Sequence, residues 1–321
     1  MAIVKLEPAF KDYLWGGNKL KKDFHKETDL DIVAESWELS THKDGQSVVV
    51  TGPHAGKKLT EYIEILGKDA LGTKGKAFEF FPILIKFIDA KGNLSIQVHP
   101  DNEYALRVEK EYGKTEMWYI LDCEEGASLY YGTNREITKE EFRERIEDNT
   151  ILEVLKKVPV HKGDVFFIEA GTIHAIGEGI VICEIQQNSN TTYRVYDFGR
   201  VGVDGKPRQL HIDKAIDVSN LTPLESDFKP QGEWETYNGY KRALMASCEY
   251  FTTYIYEVDS EAVVDVDDES FASIVIVDGE NVTVESDKTI LGVRKGDSIF
   301  ADANTGKVKV KGACKFIVSR V

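Results

Sequence analysis

The stretch LSIQVHPDNEYA, residues 94–105, decides how the chain is read. Leu94, Ile96 and Val98 alternate with Ser95, Gln97 and His99, and Pro100 ends the run. Successive side chains of a strand point to opposite faces. The segment is therefore predicted to turn its three apolar residues one way, beneath neighbouring elements, and its three polar residues the other. Both flanks are apolar, so the polar row is not expected to face bulk water.

Most of the chain reads as similar short strands. SVVVTG, FPILIKFID, EMWYILDC, DVFFIEA, GIVICEIQ, YFTTYIYEV, FASIVIVDG and VKVKGACKFIVS carry β-branched or aromatic residues between turn-forming ones. Helical patterns are expected in three places, from Leu59 (LTEYIEILGKDALG), Asn102 (NEYALRVEKEYG) and Ile137 (ITKEEFRERIEDNTILEVLKKV). Many strands and few helices predict a mainly β protein, a sandwich or barrel, over alternating βαβ units. The polar stretch TPLESDFKPQGEWETYNGY, after Leu221, is the expected linker.

An internal echo supports a duplicated β unit. HKGDVFFIEAGTIHAI, from His161, and RKGDSIFADANTGKVKV, from Arg294, share a basic residue, Lys-Gly-Asp, an apolar strand and a small-residue turn. His174 follows the first turn, and the second copy holds no histidine.

Composition bounds the partners. The 321 residues carry a net charge of −15, which argues against a nucleic-acid or anionic-membrane surface. MAIVKLEPAFKDY has no long apolar core, and no stretch of the sequence is long and apolar enough to span a bilayer. Cys123, Cys183, Cys248 and Cys314 form no CxxC pair, so a cytoplasmic protein with reduced thiols is expected.

Only seven histidines are present, which makes their placement informative. His99 lies two residues after Gln97, Glu116 sits in the alternating strand KTEMWYIL, and His174 follows AGTI at a strand turn. Two imidazoles, a carboxylate and an amide suit a divalent zinc-like ion, and a barrel can bring three distant strands to one lumen. Satisfied core or surface groups would explain any one of these residues alone. His25, His42, His54, His161 and His211 are read that way, without convergent partners.

GDVFFIEAGTIHAI resembles the second motif of the cupin superfamily, with Gly163, Gly171 and His174 in place and Glu169 where that motif prefers proline. LSIQVHPDNEYA, KTEMWYIL and AGTIHAIG together resemble the type I mannose-6-phosphate isomerases in their short bacterial form. The likeness extends through LWGGNKL, ESWELSTH, FPILIKFIDA, CEIQQNSNTTYRVYDFGR and RQLHIDKA, covering most of residues 10–220. It implies cupin-type jelly-roll barrels. A catalytic domain with helical insertions is expected over residues 1–225, and a smaller cupin-like β domain without metal ligands over 226–321.

The same resemblance implies one zinc ion per chain, held by Gln97, His99, Glu116 and His174. It also implies interconversion of mannose 6-phosphate and fructose 6-phosphate by C1–C2 proton transfer through a cis-enediol. Lys114, Glu184 and Arg194 match family active-site positions. Glu184 or Lys114 is expected to move the proton, and Arg194 to hold developing negative charge. Ser95 is expected to bind the sugar or a ligand. Arg200, Arg208 and Lys214, with Arg194, are the candidates for the phosphate. Trp15 with Gly16 and Gly17, and Trp37 with Glu38, are read as packing and turn residues. A monomer is expected. Two rivals remain at this point: an iron-dependent cupin oxygenase and a non-catalytic sugar-phosphate-binding protein.

Overall fold

The computed structural model describes residues 3–202 and 205–321. Four sheets stack as two sandwiches. In the first, a five-stranded sheet runs in the order Tyr193–Tyr196, Ile96–Val98, His174–Ala175, Ser128–Thr133 and Leu155–Pro159. It faces a six-stranded sheet in the order Val165–Ile168, Glu116–Cys123, Ile180–Gln187, Ile83–Ala90, Glu35–Leu39 and Ala9–Lys11. Every pairing is antiparallel. This is the mainly β, cupin-type architecture expected from the sequence.

Alternation along each strand sorts the side chains between layers. On the outside of the five-stranded sheet, Ile96, Val98, Ile173 and Val195 pack with Phe142, Ile146, Ala215 and Ile216. Those last four come from helices Lys139–Glu147 and Ile212–Val218. The first of these helices starts where the Thr138 side chain accepts from the Glu141 amide, with Glu140 and Glu141 in its first turn and Arg145 in its last. Phe142 and Ile146, four residues apart, share its buried face. Strand Ile180–Gln187 turns Ile180 and Ile182 into the first sandwich, and Val181, Cys183 and Ile185 toward the second.

The second sandwich joins an eight-stranded sheet to a four-stranded one, and Val, Ile and Ala side chains fill its interior. The first strand of the chain, Ile3–Glu7, belongs to this sheet, between Ser298–Ala301 and Val48–Val49. Residues 226–321 thus complete their sheet with N-terminal strands. Lys26 strengthens the junction: it is buried, 2.7 Å from Glu38, and donates to the Gly296 carbonyl.

The echo proves to be one corner built twice. The His161 amide donates to Asp164 at 2.7 Å, and the Arg294 amide to Asp297 at 2.9 Å. Gly163 and Gly296 both adopt positive φ, 97° and 93°, and donate to Ile120 and Ile276 on the neighbouring strands. Counting along those strands, Ala272 takes the place of Glu116, and apolar Ile274 and Ile276 follow. The second interior has lost the polar groups that the first retains.

Four expectations need correction. VLKKV is not helical: after the short 3-10 turn Ile151–Val154 the chain enters strand Leu155–Pro159. Strand pairing decides: Val158 lies opposite Leu129 and packs in the sandwich interior, while Leu155, opposite Thr133 beyond a register shift, packs among the outer helices. The stretch expected as linker contains strand Glu235–Tyr237, which pairs with Tyr240–Ser247. Helices Lys19–Asp23 and Ile212–Val218 add to the three helical places expected. Finally, the strand around Gln97 spans only Ile96–Val98, so Leu94 escapes the alternation and lines the interior cavity beside Ser95.

Candidate active site

Sheet register brings the site together. On the five-stranded sheet, Arg194, Gln97 and His174 lie in one row, with Arg194 and His174 opposite Gln97 on either side. On the facing sheet Trp118, Glu184, Lys86 and Trp37 form a second row, each opposite the next. Glu116 stands two residues before Trp118 on the same face and opposite Gln186.

The ligating atoms of His99, Glu116 and His174 all lie within 4.8 Å of one another. His174 Nε2 is 3.3 Å from Glu116 Oε1, and His99 Nε2 is 3.8 Å from it. The Gln97 amide reaches within 3.3 Å of His174 Nε2. The Nδ1 atom of each ring meets a backbone carbonyl, His99 that of Thr191 at 2.8 Å and His174 that of Thr172 at 2.9 Å. A carbonyl only accepts, so Nδ1 carries the proton and each Nε2 lone pair points into the cluster. This is the tautomer a metal ion needs.

Burial gives the same reading. His99, Glu116 and His174 are at most 1% exposed, and neither Glu116 oxygen has a hydrogen-bond partner that meets normal geometry. Burial pushes the Glu116 carboxyl far above the ordinary carboxylate range, against the pull of Lys114. Burial also lowers both imidazoles, His174 to about 3, which keeps them neutral. A divalent cation would satisfy the buried carboxylate, whose near neighbours make no well-formed hydrogen bond to it, and both lone pairs at once. Turning the Gln97 amide by 180° would add its oxygen. The residues present fit such an ion.

A cavity of about 290 Å³ adjoins this cluster. Of the expected site residues, Gln97, Ser95, Lys114, Glu184, Arg194 and Arg208 line it. Lys114 Nζ lies 2.5 Å from Glu116, 3.3 Å from His99 Nε2 and 3.7 Å from Glu184. Glu184 is buried and accepts from Trp118 Nε1 at 2.9 Å. Burial would raise its carboxyl, but Lys114 and Lys86 outweigh it and hold the group well below the usual carboxylate range. Arg194 is half-buried, and its Nε has no partner. Burial and the neighbouring Arg208 lower its pKa.

Two expected phosphate contacts fall elsewhere. Arg200 is tied to Asp197 and to the Asn93 carbonyl, while Lys214 pairs with Glu109 at 2.6 Å. Neither lines the cavity. Arg208 also pairs with Asp197 through Nε and Nη2, yet remains at the cavity wall.

Sequence reasoning missed Lys86, Glu35 and Tyr13, which also line the cavity, as does Trp15, read there as a packing residue. Lys86 is buried, 3.4 Å from Glu184 and 3.6 Å from Glu35, with Trp37 beneath its ammonium. A lysine inside the apolar run ILIKFIDA was the available signal. Four histidines read as partnerless are not: His25 Nε2 lies 2.9 Å from Glu280, and His161 Nδ1 lies 3.5 Å from Asp164. Buried His42 packs edge-on to Trp37 and lies 3.7 Å from Glu111, and His211 Nδ1 accepts from the Arg194 amide.

A larger cavity of about 690 Å³ lies among Ile63, Leu71, Phe78, Phe80 and Tyr112. It contains none of the expected site residues. The converging titratable groups, not the volume, mark the smaller cavity as the reactive one.

Comparison with known proteins agrees with this geometry. A family model described as the catalytic domain of type I phosphomannose isomerase matches residues 3–127, and one for the cupin domain of mannose-6-phosphate isomerase matches residues 241–321. A mannose-6-phosphate isomerase of Streptococcus mutans is 36% identical over 321 residues, covering 98% of this chain and 96% of its own. One from Bacillus subtilis is 35% identical over 320 residues, covering 98% of each chain. The crystal structure of a Bacillus subtilis mannose 6-phosphate isomerase superposes with a TM-score of 0.92 at 32% identity, covering 100% of both chains. With relatives this similar along nearly its whole length, the chain belongs to the type I phosphomannose isomerase family.

Proposed function

We propose that this chain is an aldose–ketose isomerase that interconverts mannose 6-phosphate and fructose 6-phosphate, with one zinc ion held by Gln97, His99, Glu116 and His174. The observation that carries the reading is the convergence of two Nε2 lone pairs and a fully buried carboxylate beside a cavity lined by Lys114, Glu184 and Arg194. The named relatives supply the substrate pair.

The reaction moves one proton between C2 and C1, with a matching shift between the two oxygens, and leaves the sugar's overall oxidation state unchanged. When bound, the cation supplies positive charge that polarises or orients the sugar's oxygens. Glu184 and Lys114 form the proton-handling pair. The carboxylate is ionised and fixed by Trp118 and Lys86, and Lys114 reaches both Glu184 and the metal-ligand cluster. Arg194, at the cavity wall, is the cation placed to meet the enediolate charge. Ser95 is placed to bind the sugar. With Arg200 and Lys214 engaged elsewhere, the phosphate falls to Arg208 and Arg194 at the cavity wall.

Two carboxylate-flanked lysines and two arginines at one cavity suit an anionic sugar better than dioxygen chemistry, which weighs against the oxygenase. An intact proton-handling pair weighs against a mere binding protein. One chain supplies every residue of the site, which fits a monomer. Free cysteines and the acidic charge fit the cytoplasm, away from nucleic acid and membranes. We place the domain division near residue 225, with the N-terminal strands Ile3–Glu7 and Val48–Val49 crossing over to complete the sheet of the second unit, the one without ligands. A coupled assay should record fructose 6-phosphate from mannose 6-phosphate, loss of rate with a chelator and recovery with zinc. Absence of turnover in the zinc-loaded protein would sink the proposal.

A further inference from the structure

His99 and His174 are oriented by different means. His174 leans on the Thr172 carbonyl of its own turn, two residues away. His99 depends on the carbonyl of Thr191, on the connection between strands Ile180–Gln187 and Tyr193–Tyr196. That connection has no regular structure of its own and is tied down by side chains. Asn188 donates to Thr41 Oγ1 at 3.1 Å and Asn190 to Asp44 at 2.9 Å. Thr191 itself is gripped twice. Its amide donates to Ser189 Oγ at 3.2 Å, and its hydroxyl to Glu111 Oε2 at 3.3 Å.

Glu111 is well placed to anchor. Its side chain is 20% exposed and its other oxygen meets Lys43 Nζ at 2.5 Å and His42 Nε2 at 3.7 Å. Burial raises its carboxyl, but Lys43, His42 and the Asn190 amide together hold it below its ordinary value. The carboxylate therefore stays ionised and keeps accepting from Thr191 at neutral pH.

We propose that Glu111 is a positioning residue for the metal centre. Its carboxylate fixes Thr191, and the Thr191 carbonyl in turn fixes the His99 ring with Nε2 facing Glu116 and His174. Partners behind a metal-bound histidine set its tautomer, ring orientation and basicity, so loosening this link weakens the metal site without touching a ligand. The bland alternative is a surface ion pair between Glu111 and Lys43. Lys43 is 73% exposed, and such pairs contribute little.

Zinc affinity, measured by competition with a chromophoric chelator on the full chain, separates the two. Glu111→Ala and Thr191→Val should each weaken zinc binding about tenfold, the lower end of what loss of an outer partner costs. The double variant should be no weaker than the weaker single, because both cut one link. Lys43→Ala, which leaves the Glu111–Thr191 contact in place, should bind like the parent. Glu111→Gln keeps a carbonyl oxygen for the Thr191 hydroxyl and should recover most of the affinity, even if Glu111→Ala folds poorly. Parental affinity in Glu111→Ala and Thr191→Val, additive losses, or no recovery in Glu111→Gln would each overturn the role of Glu111. That role rests on His99 being a metal ligand. A parent protein that binds no zinc removes the site itself, whereas normal parental binding with unchanged variants removes only Glu111.

Discussion

Glu184 and Lys86 stand directly opposite each other on neighbouring strands, with carboxylate and ammonium 3.4 Å apart and almost closed to water. Lys86 also faces Glu35 at 3.6 Å, so one cation serves two buried carboxylates. Lys86→Met should therefore cost about 3–5 kcal/mol, the penalty for leaving a buried charge unpaired. The depressed Glu184 value adds a sign. Its contribution to stability is full above the unfolded carboxylate value of about 4.3 and is lost as pH falls through the lower folded value. Removing Lys86 raises that folded value, so acid unfolding should begin at higher pH. Denaturant unfolding across acidic pH checks both effects, and a midpoint like the parent's would rule the pairing out as a stabiliser.

Glu116 has the opposite sign. Its carboxyl titrates near about 8 in the metal-free fold, pushed there chiefly by burial, while both imidazoles are already neutral. Cation binding must then displace one proton, from Glu116 alone. Zinc affinity should rise with pH by up to about tenfold per unit between the ordinary carboxylate range and the raised value, and flatten above it. Titration calorimetry in buffers of different ionisation heat would count the proton released. Release of none at pH 6 would contradict the assignment.

The ligands and the charge-handling residues should separate cleanly. His174→Ala removes a ring from the cluster and should abolish stoichiometric metal binding. Arg194→Ala should keep the metal and lower turnover by about 10²–10³-fold, the usual cost of losing a preorganised donor to developing negative charge. Metal analysis beside initial rates gives both readings. Unchanged turnover in Arg194→Ala would remove its assigned role.

The Gly16-Gly17 pair should matter for packing. A Cβ on Gly16 would lie 2.5 Å from Ala34 Cβ, and one on Gly17 would lie 2.3 Å from Asp89 Oδ2, which receives the Lys19 amide. Gly16→Ala should cost about 1–3 kcal/mol through overpacking. Its zinc affinity should stay at the parental level. Thermal unfolding and the chelator competition measure the two separately.

The convergence of His99, Glu116 and His174 was legible because strand alternation singles out Gln97, His99 and Glu116, and His174 follows a recognisable turn. The row behind it was not. Lys86 reads as one charge in an apolar run until register places it between Glu35 and Glu184, and register is a property of paired strands. His42 was misread for the same reason, since its partner Glu111 lies 69 positions along the chain and meets it only in the fold. Leu94 shows the converse: alternation was extended two residues past the strand's true start at Ile96. Arg200 and Lys214 had the right charge and neighbourhood, but Asp197 and Glu109 claim them, and sequence proximity does not reveal competition among partners.

Metal content of the protein purified without added metal, measured beside His174→Ala, tests the central claim most directly. The parent should carry close to one divalent cation per chain, zinc by the proposal, and the variant almost none. Equal metal in both, or a metal-free parent that still converts mannose 6-phosphate, would contradict a centre built from Gln97, His99, Glu116 and His174.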